Sequence, residues 1–346
     1  MSTDPAPSGP LAGVTVLDLT QLLPGPLATR HLMEWGAQII KIEPPGAGDG
    51  TRLMYLREED RAAGRPSGFF RDLNEGKQLI RLDLRSDEGR QALLAQVRSA
   101  DVLIEGFRPG VMDRLGLGWS VLHALNPRLV MAAITGYGQR GPFALKAGHD
   151  INYIALSGVL DQIGWPDGAG PAVPNFQIAD LLGGTLAAVS GLLAALVGAQ
   201  RTGRGRFVDV SMTHEVWRHA VIARTEARSL GMVPARGSSL LSGGAACYGV
   251  YRCADGRHLA VGALEPKFWQ SWCEAIGRSE WAARHWSQGE QPGSPEAAQT
   301  REMMAELISQ QPMAHWAAIA DRADCCVTPI LRLDEVPDHP WMQGGH

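Results

Sequence analysis

The first hundred residues alternate short β-rich runs with helical stretches, and this restricts the fold more than any other feature of the chain. Val14-Thr15-Val16-Leu17-Asp18-Leu19 is a β-rich run, Leu23-Pro24-Gly25-Pro26 a turn, and Leu27 to Trp35 a helical stretch. Gly36 falls at the C′ position that ends such a helix, and Gln38-Ile39-Ile40-Lys41-Ile42 supplies a second strand. The three make one βαβ unit. The pattern recurs in a strand over Leu79 to Leu84, a helix over Ser86 to Ala100 opened by Ser86 with Gly89 inside it, and strands over Asp101 to Glu105 and Leu129 to Thr135. Short strands separated by helices predict an α/β fold with an open, largely parallel sheet of Rossmann type. Ligands of such sheets lie beyond the carboxyl ends of the strands, where Pro44, Arg85, Arg108 and Gly136 fall.

The later chain reads differently. Phe207 to Val210 is one more strand, but from about Gly243 the pattern changes to a hairpin, Tyr248 to Cys253 and His258 to Val261 around Asp255-Gly256. A Trp-rich helical region, a polar loop over Gln288 to Pro295 and a helix over Arg301 to Ala320 follow. The expected organisation is a large Rossmann-like domain over 1–210, a linker over 211–240 and a smaller α+β domain over 241–325, with 326–346 returning to the large domain.

Composition narrows the function classes. The 346 residues carry a formal net charge of only −4 and no Lys/Arg tract, so nucleic acid is not an expected partner and an anionic ligand needs a local basic pocket. The five cysteines form no C-x-x-C pair, and Cys325 and Cys326 are adjacent, which predicts reduced thiols in a cytoplasmic protein. Met1 to Pro10 has neither the basic start nor the apolar core of a signal peptide, and the final residues form no peroxisomal address. Leu181 to Gln200 is apolar and long enough to span a bilayer. Its Gly and Ala content fits instead a central helix buried on all sides, so no membrane association is expected.

Several familiar motifs are missing. Gly46-x-Gly48-x-Gly50 has Thr51 where a dinucleotide fingerprint has its third glycine, and reads as a polar loop. Walker A, G-x-S-x-G and H-E-x-x-H sequences are absent, and His214 and His219 have a poor ligand spacing, so neither metal nor separate cofactor is expected. Two other residues suggest chemistry. His149 follows Gly148 at the opening of an apolar helix, and Asp180 stands at the mouth of the long apolar helix. Taken singly, His149 suits a capping or satisfied histidine, and Asp180 a first-turn carboxylate stabilised by the helix dipole. Taken together, two titratable groups at helix starts, where free N–H groups can hold an anion, suit an acid–base site. Gly183 and Gly184 offer room for a ligand chain.

Gly13-Val14-Thr15-Val16-Leu17-Asp18-Leu19 with Pro24-Gly25-Pro26, Gly36 to Glu43, Asp101 to Gly118, Thr202 to Gly205 and Asp324 to Val336 together resemble the family III CoA-transferases and their racemase relatives over nearly the whole chain. Gly148-His149-Asp150-Ile151-Asn152-Tyr153 and Ala260 to Pro266 are similar to the α-methylacyl-CoA racemase branch. The resemblance implies an acyl-CoA substrate, with coenzyme A bound as part of it, and an interlocked homodimer. It implies His149 and Asp180 as general acid and base, supported by Glu265, whose alternative is an exposed surface carboxylate. It places coenzyme A on Leu82, Asp83, Leu84, Arg85, Arg108 and the run Gly148, Asp150, Ile151, Asn152 and Tyr153, with the Asp150 N–H facing the thioester oxygen. Pro44 departs from the pattern, standing where many racemases carry an arginine. The competing activity within the family is CoA transfer, with Asp180 as nucleophile.

Overall fold

The computed structural model describes residues 9–166 and 170–343. Six parallel strands form the main sheet: β1 (Thr15–Asp18), β2 (Gln38–Glu43), β3 (Gln78–Arg81), β4 (Val102–Glu105), β5 (Val130–Thr135) and β6 (Phe207–Ser211). Their order is β3-β2-β1-β4-β5-β6, which is that of a doubly wound Rossmann sheet, with the order of strand addition reversing between β1 and β4. Alternation along the strands sends Val16, Ile39, Val102, Ile104, Val130 and Ala132 to one core. Leu17, Ile40, Ile42, Leu103 and Met131 go to another, with Leu93 and Val97 of the helix Asp87–Val97. The predicted strands and caps are present, although β3 ends at Arg81 and not at Leu84. Ser86 accepts from the Gly89 N–H at 3.0 Å, and Gly36, at φ +97°, ends the first helix, which begins earlier than expected, at Pro24. Pro at the first helical position needs no hydrogen-bond partner for its nitrogen, which explains the early start.

The long apolar segment is a π-helix, Ala179–Leu186, continuing into the α-helix Ala187–Thr202. It is not buried on all sides. Ala188, Leu192, Ala195 and Ala199 enter the core, while Leu186 and Val197 on the other face are each half exposed. The glycines of the π-helix also differ from expectation. A Cβ on Gly183 would lie 2.5 Å from the Met212 carbonyl oxygen, and one on Gly184 2.7 Å from the Pro24 side chain. They allow close packing of the protein on itself and leave no room for a ligand.

The chain divides into two compact units, one of residues up to Leu160 with Val173–Ile222, the other of Asp161–Ala172 with the chain from Ala223 onward. The second unit has its own antiparallel sheet, β7 (Tyr248–Arg252), β8 (His258–Gly262) and β9 (Val327–Pro329). The segment expected to return to the large domain instead pairs with β8, Val261 opposite Val327 and Ala260 opposite Thr328. Its alternating side chains complete the Trp269–Trp272–Trp316 core, and this burial decides its place. The expected linker is largely helical, over Met212–His219 and Val221–Leu230. Pro312 divides the expected helix over Arg301 to Ala320 into Pro295–Ile308 and Met313–Ala320.

Candidate active site

A cavity of about 490 Å³ opens beyond the carboxyl ends of β1, β4 and β5, lined among others by Arg108, Lys146, Gly148, His149, Tyr153 and Asp180. His149 is the N-cap of the helix Asp150–Leu156, where its extended backbone precedes the first turn. The Asn152 side-chain oxygen accepts from the His149 N–H at 3.0 Å and anchors that turn. The Asp150 N–H is the first of the helix and has no acceptor within it. Tyr153 reaches back to the Gly148 carbonyl. Its ring leaves no space for a Cβ on Gly136 or Gly148, at 2.3 and 2.7 Å, so both glycines are required by packing.

Asp180 is the second residue of the π-helix. Such widened turns are rare and often occur at functional positions. Asp150 Oδ1 accepts from the Ala179 and Asp180 N–H groups at 2.6 and 3.0 Å, tying the two helix starts together. Burial, and then the Asp150 charge, push the Asp180 pKa up to about 6, with His149 acting in the opposite direction. Near neutral pH, Asp180 is thus present both as acid and as base. Tyr153 is pushed up to about 12, first by burial and next by Asp180, and remains a phenol donor.

Comparison with known proteins identifies the family. Residues 11–345 match the family described as CoA-transferase family III. The chain belongs to the family III CoA-transferases. It is 36% identical to the α-methylacyl-CoA racemase of Homo sapiens over 331 residues, covering 95% of this chain and 80% of that one. It is also 36% identical to the acetyl-CoA:oxalate CoA-transferase of Acetobacter aceti over 346 residues, with 98% and 85% covered. Among solved structures, a CAIB/BAIF family protein from Brucella suis superposes with a TM-score of 0.80 at 28% identity, covering 97% of this chain and 88% of that one.

In this member of CoA-transferase family III, His149, Asp180, Arg108, Gly148, Asn152 and Tyr153 share one cavity. Leu82, Asp83, Leu84 and Arg85 follow β3, at the far edge of the sheet, and do not line it. Leu82 and Leu84 pack against the core, and Asp83 accepts from the Arg85 N–H at 3.0 Å. Ile151 is exposed, and Glu265 belongs to the second unit, exposed at the N-cap of Pro266–Ala275. Sequence reasoning missed Lys146, Gln21 and Thr135 in the cavity wall. Only Lys146 had a signal, a cation two residues before Gly148. Among the described residues, no three His, Cys, Asp or Glu side chains gather to hold a metal.

Proposed function

We propose that this enzyme interconverts the (R) and (S) forms of a 2-methylacyl-CoA thioester by exchanging its α-proton. The observation that carries the reading is the meeting of His149 and Asp180 in one cavity. One group removes the α-proton, the thioester becomes an enolate, and the other returns a proton to the opposite face. The Asp150 N–H faces the developing oxyanion in this scheme, and Arg108 takes a coenzyme phosphate. Glu265 supports His149 from a second copy, as the resemblance implies. The half-exposed Leu186 and Val197 on the long helix favour an apolar contact between copies.

The transferase relative favours a second reading, in which Asp180 attacks the thioester and forms an acyl anhydride. Proton NMR of a 2-methylacyl-CoA in D₂O, with and without a free carboxylate, separates the two. Loss of the α-proton signal without acceptor is the expected result. Acyl transfer to the carboxylate with the α-proton retained overturns the racemase reading.

A further inference from the structure

The Asp150 side chain has no part in the scheme above, yet its carboxylate hydrogen-bonds across from the start of the helix that follows His149 to the start of the helix that carries Asp180. The two bonds cross 29 and 30 residues of sequence. Asp150 is covalently next to His149, and its carboxylate holds the backbone of Asp180, so one residue spans the acid–base pair. A surface carboxylate capping its own helix would bond two or three positions ahead. This one instead supplies acceptors to another helix, whose first N–H groups have none of their own. We infer that Asp150 is a positioning residue: its carboxylate fixes the spacing of His149 and Asp180 and holds a negative charge against the Asp180 carboxyl.

The surroundings leave that role to Asp150. On the helix Asp150–Leu156, the other ionisable groups near Asp180 are His149, at its cap, and Tyr153, while Arg108 and Lys146 reach the cavity from loops. On the packed helix Met212–His219, Arg218 and His219 pair with Glu215 at 3.4 and 4.0 Å, and His214 lies against Trp217. On Pro24–Glu34, Arg30 and His31 pair with Glu34. Asp209 of β6 accepts from the Gln139 N–H. Among the described residues, Asp150 is the one carboxylate bonded to the Asp180 backbone, and the direction of its effect on Asp180, upward, agrees with the geometry.

The inference rests on the acid–base reading, and its test contains one readout independent of it. Asp150→Asn keeps an oxygen to accept both N–H groups but loses the charge, whereas Asp150→Ala loses both. A ¹³C NMR titration of the Asp180 carboxyl in the free enzyme, assigned with Asp180→Asn, reads the charge effect whatever the reaction. The expected midpoint falls by roughly half a unit or more in Asp150→Asn. In α-proton exchange, the pH limb belonging to Asp180 should move down with it. At the optimum, Asp150→Asn should lose about threefold in kcat and Asp150→Ala at least tenfold more, with KM nearly constant in both, as for loss of a transition-state arrangement. An unchanged Asp180 midpoint in Asp150→Asn overturns the charge role, and equal kcat in the Asn and Ala variants overturns the tether. Absence of exchange in the wild type, with the midpoint still displaced, would sink the reaction and leave the charge role standing.

Discussion

Two of the groups of ionisable side chains in the larger unit are treated by the fold in opposite ways. Behind β1 and β2, Asp18, Lys41, Lys77 and Asp49 are buried with complementary charges in contact: Lys77 to Asp18 and Lys41 to Asp49, each at 3.2 Å. Burial alone would raise the Asp18 pKa. Lys41, Lys77 and the hydroxyls of Thr20 and Thr29 overcome it and hold the carboxyl at about 2. Burial lowers Lys77 to about 8, with Asp18 opposing. In the cavity, by contrast, burial first and the charge of Asp150 second raise Asp180 to about 6, with no cation among the described residues bonded to it that overcomes them. Opposite charges in contact favour the ionised pair against burial and serve structure. A carboxyl beside another carboxylate keeps its proton negotiable, which is what proton transfer requires.

Breaking the structural group should have the largest effect. Asp18→Asn leaves Lys77 buried without its countercharge and should destabilise the protein by about 3–5 kcal/mol. Replacing both, as Asp18→Leu with Lys77→Met, should recover most of the loss in thermal or urea unfolding, because no charge is then left buried alone. A double variant as unstable as the single one would show that the group does more than pair charges.

The functional group should respond by losing activity, with no loss of stability. His149→Ala and Asp180→Asn are each expected to lower racemisation by roughly two orders of magnitude or more while coenzyme A still binds. Steady-state kinetics with calorimetry of coenzyme A binding checks both halves. Near-normal turnover in His149→Ala would make His149 structural.

Asp180 should also reveal its protonation cost. Its folded-state pKa is raised from 3.8 to about 6, so its contribution to stability is full below the lower value and is lost as pH rises through the higher. Asp180→Asn cannot ionise. Its melting temperature should therefore match the wild type near pH 4 and exceed it at pH 8, by the equivalent of about 2–3 kcal/mol. An equal difference at both pH values would remove the shifted carboxyl from the account.

The smallest effect is expected at Arg108, at the rim of the cavity. A charge-assisted contact from so exposed a side chain falls at the low end of its range, about 1.5 kcal/mol, and a phosphate changes no bond in the reaction. Arg108→Ala should raise KM by roughly tenfold and change kcat little. Unchanged coenzyme A affinity in calorimetry would place Arg108 outside the binding site.

The sheet was legible because its signal is local. Alternating residues in Gln38 to Ile42 and Leu129 to Thr135 face two cores, and Ser86 and Gly36 mark helix ends. His149 and Asp180 were legible as helix starts and through the family motif. The place of Val327–Pro329 was not, because it depends on a strand some seventy residues earlier. Nor was the Asp150 tether, which joins residues thirty apart. The buried charge group did leave a trace. Asp18 and Lys41 each interrupt an apolar run with one charge of opposite sign, and they stand opposite each other in the β1–β2 register.

The most direct test of the central claim follows deuterium into each enantiomer of a 2-methylacyl-CoA separately, in D₂O, with wild type, His149→Ala and Asp180→Asn. Two acid–base groups on opposite faces predict that the wild type exchanges and inverts both enantiomers. Each variant should then exchange one enantiomer without inverting it, a different one in each case, because a single group remains to remove and return the proton on its own face. Exchange of the same enantiomer by both variants, or full inversion by either, would contradict the assignment of His149 and Asp180 to opposite faces of the substrate.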